Sequence, residues 1–203
     1  MKTFIFKQTK GLAFVVGMVA VLFLSNLTVS ANPTKSLFGG STTVALGQEF
    51  TGAVATLGLT VRTILPGRTI RRTRVSFPVT AGNLDFQNAR GEIIHSGGLQ
   101  ISNATTTVKL TNFIIDTTGP SPVLTGMVQA NGDLVGRIPL FNLELPALTL
   151  PLPQDLFHLR IPGVGVRLSA DAAGALNAVF GVNAFVEGFP IGTADVSTLA
   201  FGQ

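Results

Sequence analysis

Residues 91–116 read GEIIHSGGLQISNATTTVKLTNFIID, and the alternation within that run decides the fold. Residues 92–102 and 105–116 read as two strands joined at Asn103-Ala104. In the first, Ile93, His95, Gly97, Leu99 and Ile101 share one face, because successive side chains of a pleated strand point to opposite sides. The second sets Val108, Leu110, Phe113 and Ile115 among threonines, a β-branched and aromatic composition that suits a half-buried sheet. Its alternation breaks at Asn112, where a one-residue bulge restores it. The centre of the chain is therefore expected to be an antiparallel sheet.

Two matched segments flank this centre. Residues 44–57 (VALGQEFTGAVATL) align without a gap on residues 166–179 (VRLSADAAGALNAV), sharing Gly52/Gly174 and Ala53/Ala175 and apolar or acidic character elsewhere. Each reads as a short strand followed by a short helix. Phe50, Ala53, Val54 and Leu57, and likewise Ala172, Ala175, Leu176 and Val179, follow the spacing of one buried helical stripe. Ser169 suits an N-cap, Glu49 and Asp171 put negative charge in a first turn, and Gly58 and Gly181 stand where glycines end helices. The Gly-Ala pairs predict close packing of each helix on the sheet. Two copies do not make a solenoid.

Elsewhere the signals are almost all β. Residues 59–65 and 68–79 flank Pro66-Gly67, which predicts a hairpin, with Pro78 at an edge or bulge. Residues 81–90 read as a loop. Asn131-Gly132 joins residues 123–130 to 134–145 as a second hairpin. Residues 146–163 carry four prolines and read as a draped or edge segment, and residues 193–201 as the last strand. The expected fold is mainly β, an antiparallel β-sandwich or barrel of roughly nine strands with two short helices.

The chain opens with Lys2, Lys7 and Lys10, an apolar run over residues 11–24, and Val29-Ser30-Ala31, the three parts of a secretory signal. The apolar part is shorter than the roughly 20 residues a bilayer span requires. The domain assignment is accordingly a signal peptide at 1–31, a flexible lead-in at 32–41 and a single β-rich domain at 42–203. The formal charge of +4 includes those three lysines; without them 11 basic residues face 10 acidic ones. A near-neutral exported domain gives no reason to expect nucleic acid as a partner. No second stretch is long and apolar enough for a transmembrane span. Cysteine is absent, which excludes disulfides, thiolate metal sites and a cysteine nucleophile.

Residues that carry chemistry are few. His95 and His158 are the two histidines, no G-x-S-x-G elbow is present, and the acidic residues are scattered. No catalytic residue and no metal ligand is assigned. His95 lies on the apolar face of its strand, and Gly97-Gly98 beside it leave room for a ligand or for another backbone. These three are the candidate ligand-binding residues. Arg62, Arg68, Arg71, Arg72 and Arg74 gather in one stretch without an acidic residue between Glu49 and Asp85. Arg68, Arg71, Arg72 and Arg74 form a candidate anion-docking patch, since guanidinium forks match phosphate and carboxylate. The same charges would equally keep an edge hairpin from aggregating.

Residues 75–102 (VSFPVTAGNLDFQNARGEIIHSGGLQIS) and 108–116 (VKLTNFIID), followed by 137–145 (RIPLFNLEL) and 166–196, resemble a group of secreted bacterial β-domain proteins. More distantly they resemble the Htaa (haem-transport-associated) domain, a surface-held β domain of Gram-positive haem capture. That resemblance implies an exported β domain and brings haem in as a cofactor. It also implies a tyrosine ligand supported by histidine, and this chain has no tyrosine; His95 is then the better candidate, ahead of His158 and Met127. The leading expectation is a secreted or cell-envelope, non-enzymatic binding or structural domain whose ligand is apolar or anionic, such as a cell-wall polymer, a lipid or a small hydrophobic molecule. The alternatives are haem or a small hydrophobic ligand near His95, and a hydrolase with a dispersed site.

Overall fold

The computed structural model describes residues 34–153 and 157–202, so the leader assigned to residues 1–31 lies outside the described residues. In chain order the elements are β1 (Thr34–Leu46), α1 (Gln48–Thr56), β2 (Thr60–Ile64), β3 (Arg68–Arg71), β4 (Arg74–Asp85), β5 (Arg90–His95), β6 (Gly98–Ser102) and β7 (Thr107–Asp116). They continue with β8 (Val123–Ala130), β9 (Asp133–Glu144), β10 (His158–Leu168), α2 (Ala170–Phe180) and β11 (Pro190–Gly202).

The bulge expected at Asn112 is present, with φ 52° and a register shift between Thr111 and Ile114. It lets one edge of β7 serve two partners: β6 pairs residues 107–111 and β5 pairs residues 114–116. The strand expected over residues 92–102 is thus two strands, bent at Ser96-Gly97, with Gly97 at φ 88°. On its other edge β7 pairs β8, which closes the ring β1–β11–β10–β9–β8–β7–β5–β4 and returns to β1. The fold is a closed eight-stranded antiparallel barrel with three further strands and two helices. Of the two expected architectures, closure selects the barrel, and closure leaves no free edge in the ring.

Of residues 32–41, expected as a flexible lead-in, the described residues 34–41 form the first part of β1, which pairs β4 on one side and β11 on the other. Leu37 is buried and Gly39-Gly40 form a bulge, so composition typical of a loop hides an interior strand. The strand expected over residues 68–79 breaks at Arg72-Thr73 into β3 and β4. Pro78 stands where one edge of β4 changes partner from β3 to β5, a place that needs no donated N–H. The segment expected to drape from 146 to 163 gives way to β10 at His158, with Pro162-Gly163 in a bulge.

The repeated strand–helix units are real, and topology gives them a meaning. β1 and β10 both run antiparallel to β11, so they are parallel to each other, and α1 and α2 leave the barrel at the same end. Phe50 of α1 and Ala172, Leu176 and Val179 of α2 seal that end. At the opposite end Leu152 is buried from the irregular segment after β9, with its N–H bonded to the Phe86 carbonyl. Ser169 caps α2 by accepting from the Ala172 N–H at 3.1 Å, and Gly181 ends it at φ 65°. α1 begins at Gly47 with no side-chain cap and buries Phe50 alone.

The helix glycines do not pack as expected. A methyl group at Gly52 or Gly174 would meet nothing within 4 Å. Gly174→Ala should therefore raise stability by about 0.5–1 kcal/mol, through lower chain entropy and better helix propensity. Guanidinium unfolding followed by circular dichroism checks this, and a loss of stability would mean that the α2 face is covered.

Candidate functional site

The barrel interior holds two adjoining apolar cavities, of about 70 and 130 Å³. Leu46, Leu99, Phe141 and Ile191 line both and form the partition between them. The larger lies under α1 and α2. The smaller occupies the body of the barrel against Phe77, Phe113, Ile93 and His95. Phe77 and Phe113 meet edge to face at 5.0 Å, which braces this wall. One water needs roughly 10–15 Å³ of such space and two or more polar partners, and walls of this composition offer few.

With Thr42 and Thr117, His95 is the polar part of the smaller cavity's wall. Its residue is 3% exposed, its ring lines the smaller cavity, and Nε2 shares a 2.7 Å hydrogen bond with the Thr42 hydroxyl. Nδ1 is buried and has no hydrogen-bond partner among the described residues. If Nε2 accepts from Thr42, Nδ1 carries an unpaired N–H; if Nε2 donates, Nδ1 is an unpaired acceptor. Burial away from water pushes the imidazole pKa from 6.5 down to about 4, while backbone groups of Phe113 and Ile93 pull the other way. His95 is thus a neutral ring at physiological pH.

Gly97 and Gly98, the other two candidate ligand-binding residues, face protein rather than open space. A Cβ on Gly97 would come 2.4 Å from Gly67 N, and one on Gly98 2.1 Å from the Leu110 carbonyl oxygen. The room that the glycines leave is filled by the Pro66-Gly67 turn and by β7. The sequence admitted this outcome in the close approach of another backbone, but nothing in it pointed to the turn.

Arg68 and Arg71 lie in β3, Arg72 in the turn after it and Arg74 at the start of β4, all exposed. None of their guanidinium groups, nor that of Arg62 in β2, makes a hydrogen bond or an ion pair among the described residues. The structure separates them, however. Arg62 and Arg72 line a cleft of about 190 Å³ between α1 and the β2–β3 segment, together with Phe50, Val54, Thr63 and Thr69. Arg68, Arg71 and Arg74 do not line it.

His158 sits on the outer barrel face, with Nε2 2.9 Å from Ser197 Oγ. This is a serine–histidine contact, but no carboxylate bonds either histidine among the described residues, and Asp195 accepts from the Gly163 N–H instead. A nucleophile needs an oriented base and a pocket, and this exposed pair has neither. Among the described residues no group of three His, Cys, Asp or Glu side chains could hold a metal ion. No described helix is long and apolar enough to cross a membrane.

No family model matches the chain, and no curated protein sequence does. Solved structures do. The C-terminal domain of HtaA from Corynebacterium glutamicum superposes with a TM-score of 0.61 at 16% identity, covering 81% of this chain and 99% of that one. The haem-binding protein HtaB from the same organism gives 0.57 at 10% identity, covering 84% and 97%. A domain-swapped dimer of an H434A variant of the HtaA domain gives 0.54 at 17% identity, covering 74% and 89%. The distant likeness read from the sequence is therefore a likeness of fold: this chain has the barrel of the HtaA and HtaB domains.

Proposed function

We propose that this chain is a non-enzymatic binding domain of the extracellular side or cell envelope, and that it takes a small apolar ligand into the barrel beside His95. The observation that carries this reading is the pair of adjoining cavities, walled by apolar side chains, with one neutral imidazole and its unpaired Nδ1 in the wall. An apolar cavity of this order of size stays dry and accepts a molecule as small as benzene. The signal-like pattern expected over residues 1–31 supports export.

The fold likeness favours haem as a second reading, because the HtaB structure is described as a haem-binding protein. The interior residues do not fit it. The chain has no tyrosine, Thr42 occupies His95 Nε2, and the cavity beside the ring is far smaller than a macrocycle. Met127 is half-buried on β8. The accessible histidine is His158, next to Phe157 at 69% exposure and paired in register with Leu199. A haem carried by this protein would therefore lie outside the barrel.

Fluorescence of N-phenyl-1-naphthylamine on the purified protein tests the first reading. Binding in the micromolar range is expected, and it should fall at least about tenfold in Leu99→Trp, which fills the partition. Absent enhancement, or enhancement unchanged in that variant, overturns interior binding. In a parallel haemin titration, a Soret shift abolished by His158→Ala and kept in His95→Ala would establish the second reading.

A further inference from the structure

β2 and β3 are consecutive and lie side by side, yet they do not pair. Among the described residues β2 has a ladder with β6 alone and β3 with β4 alone, so the sheet is open between them. The hairpin expected around Pro66-Gly67 is a turn without a ladder. The one hydrogen bond between β2 and β3 among the described residues is a long one, 3.4 Å between the Thr63 and Thr69 hydroxyls. This seam arises because β5 fills only part of the space between β4 and β7. Nearer the helices those two strands carry separate partners, β3 on β4 and β6–β2 on β7.

The seam does not open on bare solvent. Above it lies the cleft lined by Arg62 and Arg72, and behind it stand Leu46, Phe50 and Val75. Leu46 lines the cleft and both cavities, Phe50 the cleft and the larger cavity, and Val75 the cleft and the smaller. A single layer of apolar side chains thus separates two guanidinium groups, unpaired among the described residues, from the oily interior. The element holding that layer is the weaker helix. α1 has no side-chain N-cap and is anchored by Phe50, whereas α2 is capped by Ser169 and clamped by Asn177, whose side chain both donates to and accepts from the Phe185 backbone. Every neighbouring pair of the eight-stranded ring is laced by backbone hydrogen bonds, as are β3 with β4, β6 with β7 and β2 with β6, so the seam between β2 and β3 is the cheapest place to part the wall.

We propose that the seam between β2 and β3, covered by α1, is the portal of the barrel, and that it admits a single aliphatic chain ending in an anion, tail inside and head on Arg62 and Arg72. This inference rests on the reading of an apolar interior site and adds its ligand class and its door. The tail displaces Phe50 and follows Leu46 into the cavities, while the head stays in the wet cleft, where guanidinium groups make charge-assisted hydrogen bonds to carboxylate or phosphate. An arginine patch that only blunted an edge strand would show no preference for the head group of an inserted chain.

Decanoate, decanol and decyl phosphate, each below its micelle concentration, serve as competitors of the naphthylamine probe. Decanoate is expected to bind at least about tenfold more tightly than decanol. Arg62→Gln with Arg72→Gln should bring decanoate down to the alcohol and leave decanol unchanged, while Arg68→Gln, outside the cleft, changes neither. Decyl phosphate matching decanoate would assign the site to any anionic head, and weaker phosphate binding would assign it to carboxylates. The door has its own test, because the chain lacks cysteine. A Thr63→Cys, Thr69→Cys protein should take up decanoate at least about tenfold more slowly when oxidised, and at the normal rate after reduction. Equal affinity for acid and alcohol, or a preference that survives the double arginine variant, overturns the head-group assignment while the apolar site stands. Unchanged uptake with the seam locked overturns the portal. Failure of the probe and all three chains to bind overturns the interior site itself.

Discussion

Gly98→Ala is expected to destabilise the protein by at least about 3 kcal/mol, the upper range for forcing atoms into a packed interior. Its new methyl carbon would sit 2.1 Å from the Leu110 carbonyl oxygen, a backbone atom that cannot swing aside. Gly98 pairs with Thr111 of β7 and with Ile64 of β2, so relief of the clash means pulling β6 off β7 and carrying β2 with it. The damage should therefore centre on β2 and β6, with hydrogen-exchange protection lost there first and retained in β1, β10 and β11. Guanidinium unfolding followed by circular dichroism gives the magnitude. A loss under about 1 kcal/mol would mean that β6 does not lie against β7 as described, and the seam between β2 and β3 would go with it.

That dependence on a glycine also shows how far the sequence could be read. The extended character of residues 92–102 was legible because Ile93, His95, Leu99 and Ile101 fall on one face, though its break into β5 and β6 at Ser96-Gly97 was not, and Val108, Leu110, Phe113 and Ile115 marked β7 once a bulge is allowed at Asn112. The pseudo-repeat was legible because a helical stripe recurs after an apolar strand, and Ser169 and Gly181 mark the ends of α2. What was not legible is what lies across from each residue. Gly97 and Gly98 read as room for a ligand, and only the tertiary fold shows the Pro66-Gly67 turn and the Leu110 carbonyl in that room. Residues 32–41 read as a flexible lead-in because Gly39, Gly40 and the serines lack strand propensity, yet over 34–41 strands on both sides impose the extended backbone. The arginines read as one patch. Their division into Arg62 and Arg72 in a cleft, and the others outside it, depends on where α1 lies, which no local pattern encodes.

Acid should weaken the fold through one residue. Above about pH 6.5, His95 is neutral in both the folded and the unfolded chain, and the stability tied to it is fully present. As the pH falls below 6.5 the unfolded chain takes up the proton first, while the buried ring does not until about pH 4. Stability is therefore lost as the pH falls through that window, by about 1.4 kcal/mol per unit and about 3 kcal/mol in total. His95→Gln, which keeps a hydrogen-bonding partner for Thr42 and cannot titrate, is the comparison. Unfolding free energies at pH 7 and pH 4 should diverge between the two proteins by about 3 kcal/mol, since contributions from the carboxylates are common to both. Parallel curves would mean that the imidazole meets water in the folded state, and a ring reached by water cannot form part of a dry wall. The pH titration and the probe titration therefore examine the same cavity by independent means.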